Sequence, residues 1–435
     1  MTPAARLSAA IEVLADIEGR RRPAADALKD WGLSHRFAGS GDRSAIAGLV
    51  FDTLRRRASG AWIAGGEGPR ATLLGAMRLA RNWGVDRLQQ LCTGERFAPA
   101  PLTPEETAAL SRKVGDALAD APAWVQGDYP EWLDAAMTES FGEDRVVECR
   151  ALARRAPVDL RANTIRVDRQ RCLEELSSLG AQETPWSPIG LRIAVGEDAR
   201  APAVQAEPAF QKGWLEVQDE GSQLAALLAC GGGAKTAIDL CAGAGGKTLA
   251  LAAALGTHSQ VFATDSDKRR LAPIYDRLAR AGARNAEVRA PRGRDDEPLD
   301  DLEARADLVL VDAPCTGTGT WRRNPDAKWR VRPNSLADRV NDQAATLDRA
   351  ARFVKPGGRI AYVTCSVLAQ ENDASVESFL ARKDGFSVVP PVEVAAGAGL
   401  AGLAEFLSPA GHGLQLSPHR TDTDGFFVAV LRRGA

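Results

Sequence analysis

Residues 236–248 read TAIDLCAGAGGKT: a short apolar run, a glycine-rich turn and the first residues of a helix. Strand, glycine turn and helix open a doubly wound α/β sheet. Toward the C-terminus the same texture repeats. TAIDLC, QVFATD, EVRA, DLVLVD and GRIAYVTC read as strands, with helical patterns such as DKRRLAPIYDRLARAG and SLADRVNDQAATLDRAARFV between them. GFFVAVLRR near the end is a further strand. This alternation predicts a parallel sheet with right-handed crossovers. Ligands of such sheets bind at the carboxyl edge, so the residues just past each strand are the informative ones.

Toward the N-terminus the texture changes. Residues 150–212 hold a strand (PVDLRANTIRV), a short helix (DRQRCLEELSSLG) and another strand (GLRIAV), a small α+β module. The last domain then covers 213–435. Residues 1–145 look helical: ARLSAAIEVLADI places Leu7, Ile11 and Leu14 on one helix face. DRSAIAGLVFDTLRRR does the same with Ile46, Leu49, Val50 and Leu54, and Asp42 is placed to cap its start. TGERFAPAPLTPEET is Pro-rich and reads as a loop between helices. Arg20 to Arg22 and Arg55 to Arg57 are either solvated helix faces or a phosphate-contacting surface; residues 1–60 carry ten Lys/Arg against seven Asp/Glu.

The 435 residues carry a formal charge of -2, so any nucleic-acid contact must come from local basic patches. Seven cysteines, an odd number without a Cys-x-x-Cys pair, argue for free thiols and a reducing, cytoplasmic setting. None of the four histidines is spaced as a metal pair, so no metal is expected. No signal peptide or membrane-spanning stretch is read, and a monomer is expected.

The glycine turn admits three nucleotide readings. A P-loop fits Gly246, Lys247 and Thr248 but has Cys241 where its first glycine belongs. A dinucleotide loop fits Gly243 and Gly245 but has Thr248 at its third glycine. The third reading is a turn whose backbone approaches an adenosine-containing ligand without a pyrophosphate, S-adenosylmethionine above all. That reading also needs an acid ending the next strand to hold the ribose hydroxyls. Asp265 lies twenty residues after Gly245, where it is required. Lys247 either meets the methionine carboxylate or packs on its helix.

Two strand ends carry thiols. DLVLVDAPC ends in Asp312 and Cys315; YVTCS ends in Cys365, fifty residues on. Cytosine C5 is a poor nucleophile, and one way to activate it is thiolate addition at C6. A carboxylic acid near N3 assists by donating a proton. One acid and two thiols on one sheet edge supply that kit and leave open which thiol bonds the ring. The four cysteines 92, 149, 172 and 230 read as small buried hydrophobes.

The segments LRANTIRV, VQDEGSQ, DLCAGAGGKT, ATDSDKRRL, DAPCTGTGTWRRNPDAKW, YVTCSVLAQEN and TDGFFVAVLRR run in that order from about 155 to 435. Together they resemble the RNA cytosine-C5 methyltransferases of the Nol/Nop/Sun group. The resemblance implies an α/β, Rossmann-like class I methyltransferase domain with a mixed seven-stranded sheet. It would be preceded by the α+β module and by an all-α, NusB-like RNA-binding domain, as in a bacterial member acting on 16S ribosomal RNA. It implies Cys365 as the C6 nucleophile, Cys315 as assistant in proton removal or product release, and Asp312 against the cytosine. Cys241, Ala242, Gly243, Ala244, Gly245, Gly246, Lys247, Asp265 and Asp312 would surround S-adenosylmethionine. Two departures stand out: Gly243-Ala244 replaces the family's Ala-Pro, and Ala290, Pro291 and Arg292 stand where an acid usually follows the third strand. Asp295 is a candidate replacement.

After Cys315 come Trp321, Arg322, Arg323, Lys328 and Trp329. Aromatics interleaved with cations suit stacking on bases and pairing with phosphates, so RNA is the expected partner along this stretch. The alternative is a structural loop anchored by buried tryptophans. At the level of the whole chain, the competing functions are a P-loop NTPase and a non-catalytic RNA-binding ribosome-assembly factor.

Overall fold

The computed structural model describes residues 1–196, 202–293 and 296–435. The chain divides into two compact units. One comprises Met1–Arg155 with Trp321–Val331, the other Ala156–Thr320 with Arg332–Ala435. Among the described residues, no helix is long and apolar enough to cross a membrane.

The first unit is helical. Its first helix, Pro3–Arg20, starts with the Thr2 hydroxyl accepting from the Ala5 amide and with proline in the first turn. Leu7 and Leu14 are buried, as the spacing predicts, and Ile11 packs partly buried against the same cluster. The helix Ser40–Arg55 buries Ile46, Leu49, Val50 and Leu54. Its N-cap is Gly39, so Asp42 lies inside the first turn. Asp42 receives the Met1 amino group at 3.2 Å and the Arg6 guanidinium at 2.8 Å, which corrects its expected capping role. The Pro-rich stretch joins the helices Val85–Leu91 and Pro104–Ser111, the second opened by a capping box of Thr103 and Glu106.

The basic clusters are largely ion-paired. Arg20 and Arg22 pair with Asp16, Arg22 also with Asp30, Arg56 with Asp128 and Arg57 with Glu18. Arg55 donates to the carbonyls of Arg154 and Arg322, and burial pushes it down to about 10. Helical structure runs past the expected boundary at 145, through Arg145–Leu152.

The second unit holds two sheets. The smaller comprises β1 (Val158–Ala162), β2 (Gln182–Glu183), β3 (Gly190–Ile193) and β4 (Leu215–Val217) in the order β2-β3-β1-β4, paired antiparallel. Its core gathers Leu160, Cys172, Leu191 and Leu215. Because β4 completes this sheet, the expected boundary at 212 falls too early. The module is part of the second compact unit and is tied into it by Asn163. This buried side chain donates to the carbonyls of Gly213 and Ala281, both at 2.8 Å.

The larger sheet is mixed. Its strands are β5 (Thr236–Asp239), β6 (Gln260–Ala263), β7 (Ala286–Val288), β8 (Ala306–Asp312), β9 (Val354–Thr364), β10 (Phe386–Val388), β11 (Leu414–Leu416) and β12 (Phe426–Arg433). Their order is β10-β12-β9-β8-β5-β6-β7, with β11 beside β12. β5 to β9 pair in parallel, while β12 runs antiparallel to β9. The sheet therefore has eight strands against the seven expected. The three residues of β11 are too short to show alternation in sequence. Both faces are buried. Ala237, Leu308, Leu310, Ala361 and Val363 pack under the helices Glu220–Cys230 and Gly246–Leu255. Ile238, Val309, Val311, Ile360 and Tyr362 pack under Pro333–Phe353 and Asp373–Arg382. The helix expected across 267–282 is two, Lys268–Leu271 and Ile274–Ala281. Pro273 stands between them and has no N–H to continue the ladder.

Asn163→Ala should destabilise the second unit by about 1–3 kcal/mol, because it leaves the Gly213 carbonyl without its side-chain donor and the Ala281 carbonyl with Arg166 alone. Urea unfolding measures this; a change within experimental error would show that the amide is not needed to hold the module.

Candidate functional site

β5 ends in Asp239, and the chain turns through Cys241–Gly245 into the helix Gly246–Leu255. Gly243 and Gly245 have φ of +49° and +86°, a region costly for residues with a Cβ. A Cβ on Gly245 would also lie 2.4 Å from Ile274 Cγ1, so only glycine fits. Asp265, just past β6, accepts from the Gly243 N–H at 2.9 Å through Oδ2 and from the Asp267 N–H at 2.9 Å through Oδ1. A carboxylate offers about four acceptor positions, so Asp265 braces the turn and still retains capacity for two hydroxyls. Ala242, Ala263, Leu271 and Ile274 form a small apolar cluster, with Val288 and Ala290 packed against it. The missing acid after the third strand is thus replaced here by an apolar wall. Asp295 lies outside the described residues. A glycine turn with no Cβ at Gly243 and Gly245, a braced acid with spare acceptors and an apolar wall fit S-adenosylmethionine.

Lys247 is buried, and its Nζ lies 2.8 Å from Asp312 Oδ2 and 5.0 Å from the Phe426 ring centroid. Its partner in this structure is the acid that ends β8, the strand beside β5. Burial pushes the Lys247 ammonium toward neutrality, but the Asp312 carboxylate outweighs it and the group stays above its ordinary value. A lysine committed in this way is poorly placed to serve the phosphates of a P-loop ligand.

Asp239, which the sequence reading passed over, lies beneath the turn. Its Oδ2 accepts from the Thr248 hydroxyl at 2.7 Å, and its Oδ1 has no partner. Burial, opposed by the Thr248 hydrogen bond and reinforced by Asp312, pushes this carboxyl up to about 7. Burial also holds Cys241 above its ordinary value, so it stays a thiol.

β8 and β9 are parallel neighbours with Asp312 opposite Val363, so their carboxyl ends coincide. The turns that follow bring Cys315 Sγ and Cys365 Sγ to 3.3 Å. Both cysteines are partly accessible, and the Asp312 side chain is 32% exposed. The hydrogen bond to Cys365, then burial, then the negative charges of Cys365 and Glu371 push the Cys315 thiol well above its ordinary value. The sequence reading also missed Glu371. It lies in YVTCSVLAQEN but becomes informative only once the fold carries it beside the DAPC turn.

The segment expected to stack on RNA is placed differently. Trp321, Arg322 and Lys328 are 1%, 2% and 1% exposed within a stretch that belongs to the helical unit. Trp329 Nε1 donates to the Leu54 carbonyl at 2.7 Å, and Arg57 lies over its ring. Burial pushes Lys328 down to about 8. A ring or ammonium already enclosed cannot meet a base without leaving its place, so the expected role is corrected to an anchor for Trp321, Arg322 and Lys328; Trp329 is half-buried. Arg323 is half-buried.

Two family models match the chain. One, described as 16S rRNA methyltransferase RsmB/F, matches residues 227–432; the other, a Methyltr_RsmF/B-like ferredoxin-like domain, matches 129–199. The chain belongs to the RsmB/F family. Ribosomal RNA small subunit methyltransferase B of Klebsiella pneumoniae is 34% identical over 305 residues, which is 70% of this chain and 65% of that protein. Its Citrobacter koseri counterpart is 36% identical over 307 residues, 70% of this chain and 66% of that one. The matches thus span just under two thirds of these relatives. Among solved structures, PH0851 superposes with TM-score 0.70 at 24% identity, covering 100% of this chain and 99% of its own. NSun6 from Pyrococcus horikoshii, solved with SFG, gives 0.57 at 21%, covering 70% of this chain and 98% of its own. At these identities the likeness is one of fold.

The Asp239 carboxyl sets a pH dependence for the RsmB/F-family site. Its folded pKa is raised, so between the ordinary carboxylate range and about 7 the unfolded chain ionises while the folded one does not. Stability is lost as pH rises through that window. Asp239→Asn should therefore gain stability relative to the native chain between pH ~5 and ~8, read by urea unfolding at both; a difference independent of pH would contradict this.

Proposed function

We propose that this RsmB/F-family chain transfers a methyl group to C5 of a cytosine in ribosomal RNA, most directly 16S, through a covalent bond between Cys365 and C6. The observation that carries the reading is the 3.3 Å apposition of two thiols past adjacent parallel strands, beside the Lys247–Asp312 pair. The names of the matching family and relatives support the ribosomal substrate.

Cys241 to Gly246 and Asp265 line the cofactor side, with Gly243 and Gly245 presenting backbone and Asp265 the ribose-binding carboxylate. S-adenosylmethionine, when bound there, supplies an electrophilic methyl group. The target base must leave any stack to reach the sheet edge. Asp312, held by Lys247, presents a carboxylate that accepts from the cytosine amino group and orients the ring. The resting site therefore favours orientation by Asp312 over the proton donation that the chemistry alone suggested.

The Cys365 thiol gives up its proton to solvent, its thiolate sulfur bonds C6, and the electron pair of the C5–C6 double bond makes C5 nucleophilic. After methylation, C5 loses its proton to solvent, the double bond re-forms and the C6–sulfur bond breaks. Cys315, held as a thiol, gives its proton to the departing Cys365 sulfur and is reprotonated from solvent. The raised Cys315 thiol supports this division of roles, which the family resemblance implies.

RNA carrying 5-fluorocytosine tests it, because fluorine at C5 blocks the last step. Cys365→Ala should form no denaturation-resistant adduct, whereas Cys315→Ala should form one. The reverse pattern would overturn the assignment, and calorimetry showing no cofactor binding at millimolar concentration would favour a non-catalytic RNA binder.

A further inference from the structure

The proposed chemistry uses Cys315, Cys365, Asp312 and Lys247, yet none of them explains why two separate turns hold their sulfurs so close. Glu371 does. It is fully buried, on a single turn of helix after the TCS segment. Its Oε1 accepts from the Thr316 N–H at 2.8 Å and from the Gln343 amide at 3.1 Å. Its Oε2 accepts from the hydroxyls of Thr316 and Ser366. Thr316 follows Cys315 and Ser366 follows Cys365, so one carboxylate grips the residue next to each thiol. Gln343 also donates to the Pro314 carbonyl at 3.0 Å, and Tyr362 donates to the Glu371 backbone carbonyl at 2.6 Å, which holds the Glu371 backbone.

Four donors fill the acceptor positions a carboxylate offers, and such charge-assisted bonds are the strong ones. A second set of bonds laces the same turns: Gly319 N–H to the Cys365 carbonyl at 3.0 Å, and Val367 N–H to the Thr318 hydroxyl at 3.0 Å. Those bonds position backbone. Glu371 adds, beyond position, a negative charge felt at Cys315.

We infer that Glu371 is a positioning residue that locks the two thiol turns together and separates their tasks, bond formation at Cys365 and release at Cys315. The inference rests on the proposed function and names no new substrate. Without the carboxylate, Cys315 drifts from the Cys365 sulfur and no longer delivers its proton to it. The adduct then forms but breaks slowly.

Glu371→Gln keeps the size and removes the charge and one acceptor. With ordinary cytosine RNA, kcat should fall roughly tenfold to a hundredfold while a protein–RNA adduct accumulates and the KM for RNA falls with it, leaving kcat/KM unchanged. In the Cys365→Ala background, Glu371→Gln should also move the pH profile of Cys315 alkylation by iodoacetamide to lower pH. Unchanged turnover, or loss of adduct formation together with turnover, would overturn the inference. If Glu371→Gln does not fold, Thr316→Val and Ser366→Ala each delete one donor and decide in its place: adduct accumulation supports the inference, its absence overturns it. The alkylation profile needs no RNA, so it tests Glu371 even if the native protein leaves ribosomal RNA unmethylated.

Discussion

The parallel pairing of β8 with β9 is the constraint on which the site depends. In a parallel pair the carboxyl ends lie side by side, so Asp312 stands opposite Val363 and both chains turn out of the sheet on one edge. Fifty residues of sequence separate Cys315 from Cys365, and this register reduces the distance to 3.3 Å. The apolar runs that build the strands are buried on both faces, each under its own helices, so a one-residue slip would exchange the side chains of the two packed layers.

Charge then gives similar groups different roles. Lys247 keeps its proton because Asp312 faces it, and the pair holds the Asp312 carboxylate at the end of β8. Asp239, buried below and short of one partner, goes the other way and rises toward neutrality. Cys315 is held as a thiol by its neighbours. An acid that accepts, an acid that resists ionising and a thiol that keeps its proton thus share one sheet edge.

Much of this was legible in the sequence because it is local. Apolar runs ending in a glycine turn or a cysteine located the strands, and the spacing from Gly245 located Asp265. The parts that were not legible are products of tertiary structure. Trp321 and Lys328 have the composition of an RNA surface, yet they are enclosed; alternation of cations and rings does not report which atoms face water. Lys247 could not be assigned until β8 lay within its reach. Glu371 carried no signal beside its own neighbours, since two of its four donors come from Thr316 on a different turn. The Pro273 break was written in the sequence, but the apolar periodicity around it masked the interruption.

The most direct test of the account follows the hydrogen at C5. Ribosomal RNA carrying tritium at cytosine C5, incubated with the protein and S-adenosylmethionine, should release one tritium to water for each methyl group gained. Methyl transfer with the tritium retained would place the chemistry on another atom of the nucleotide and contradict the account.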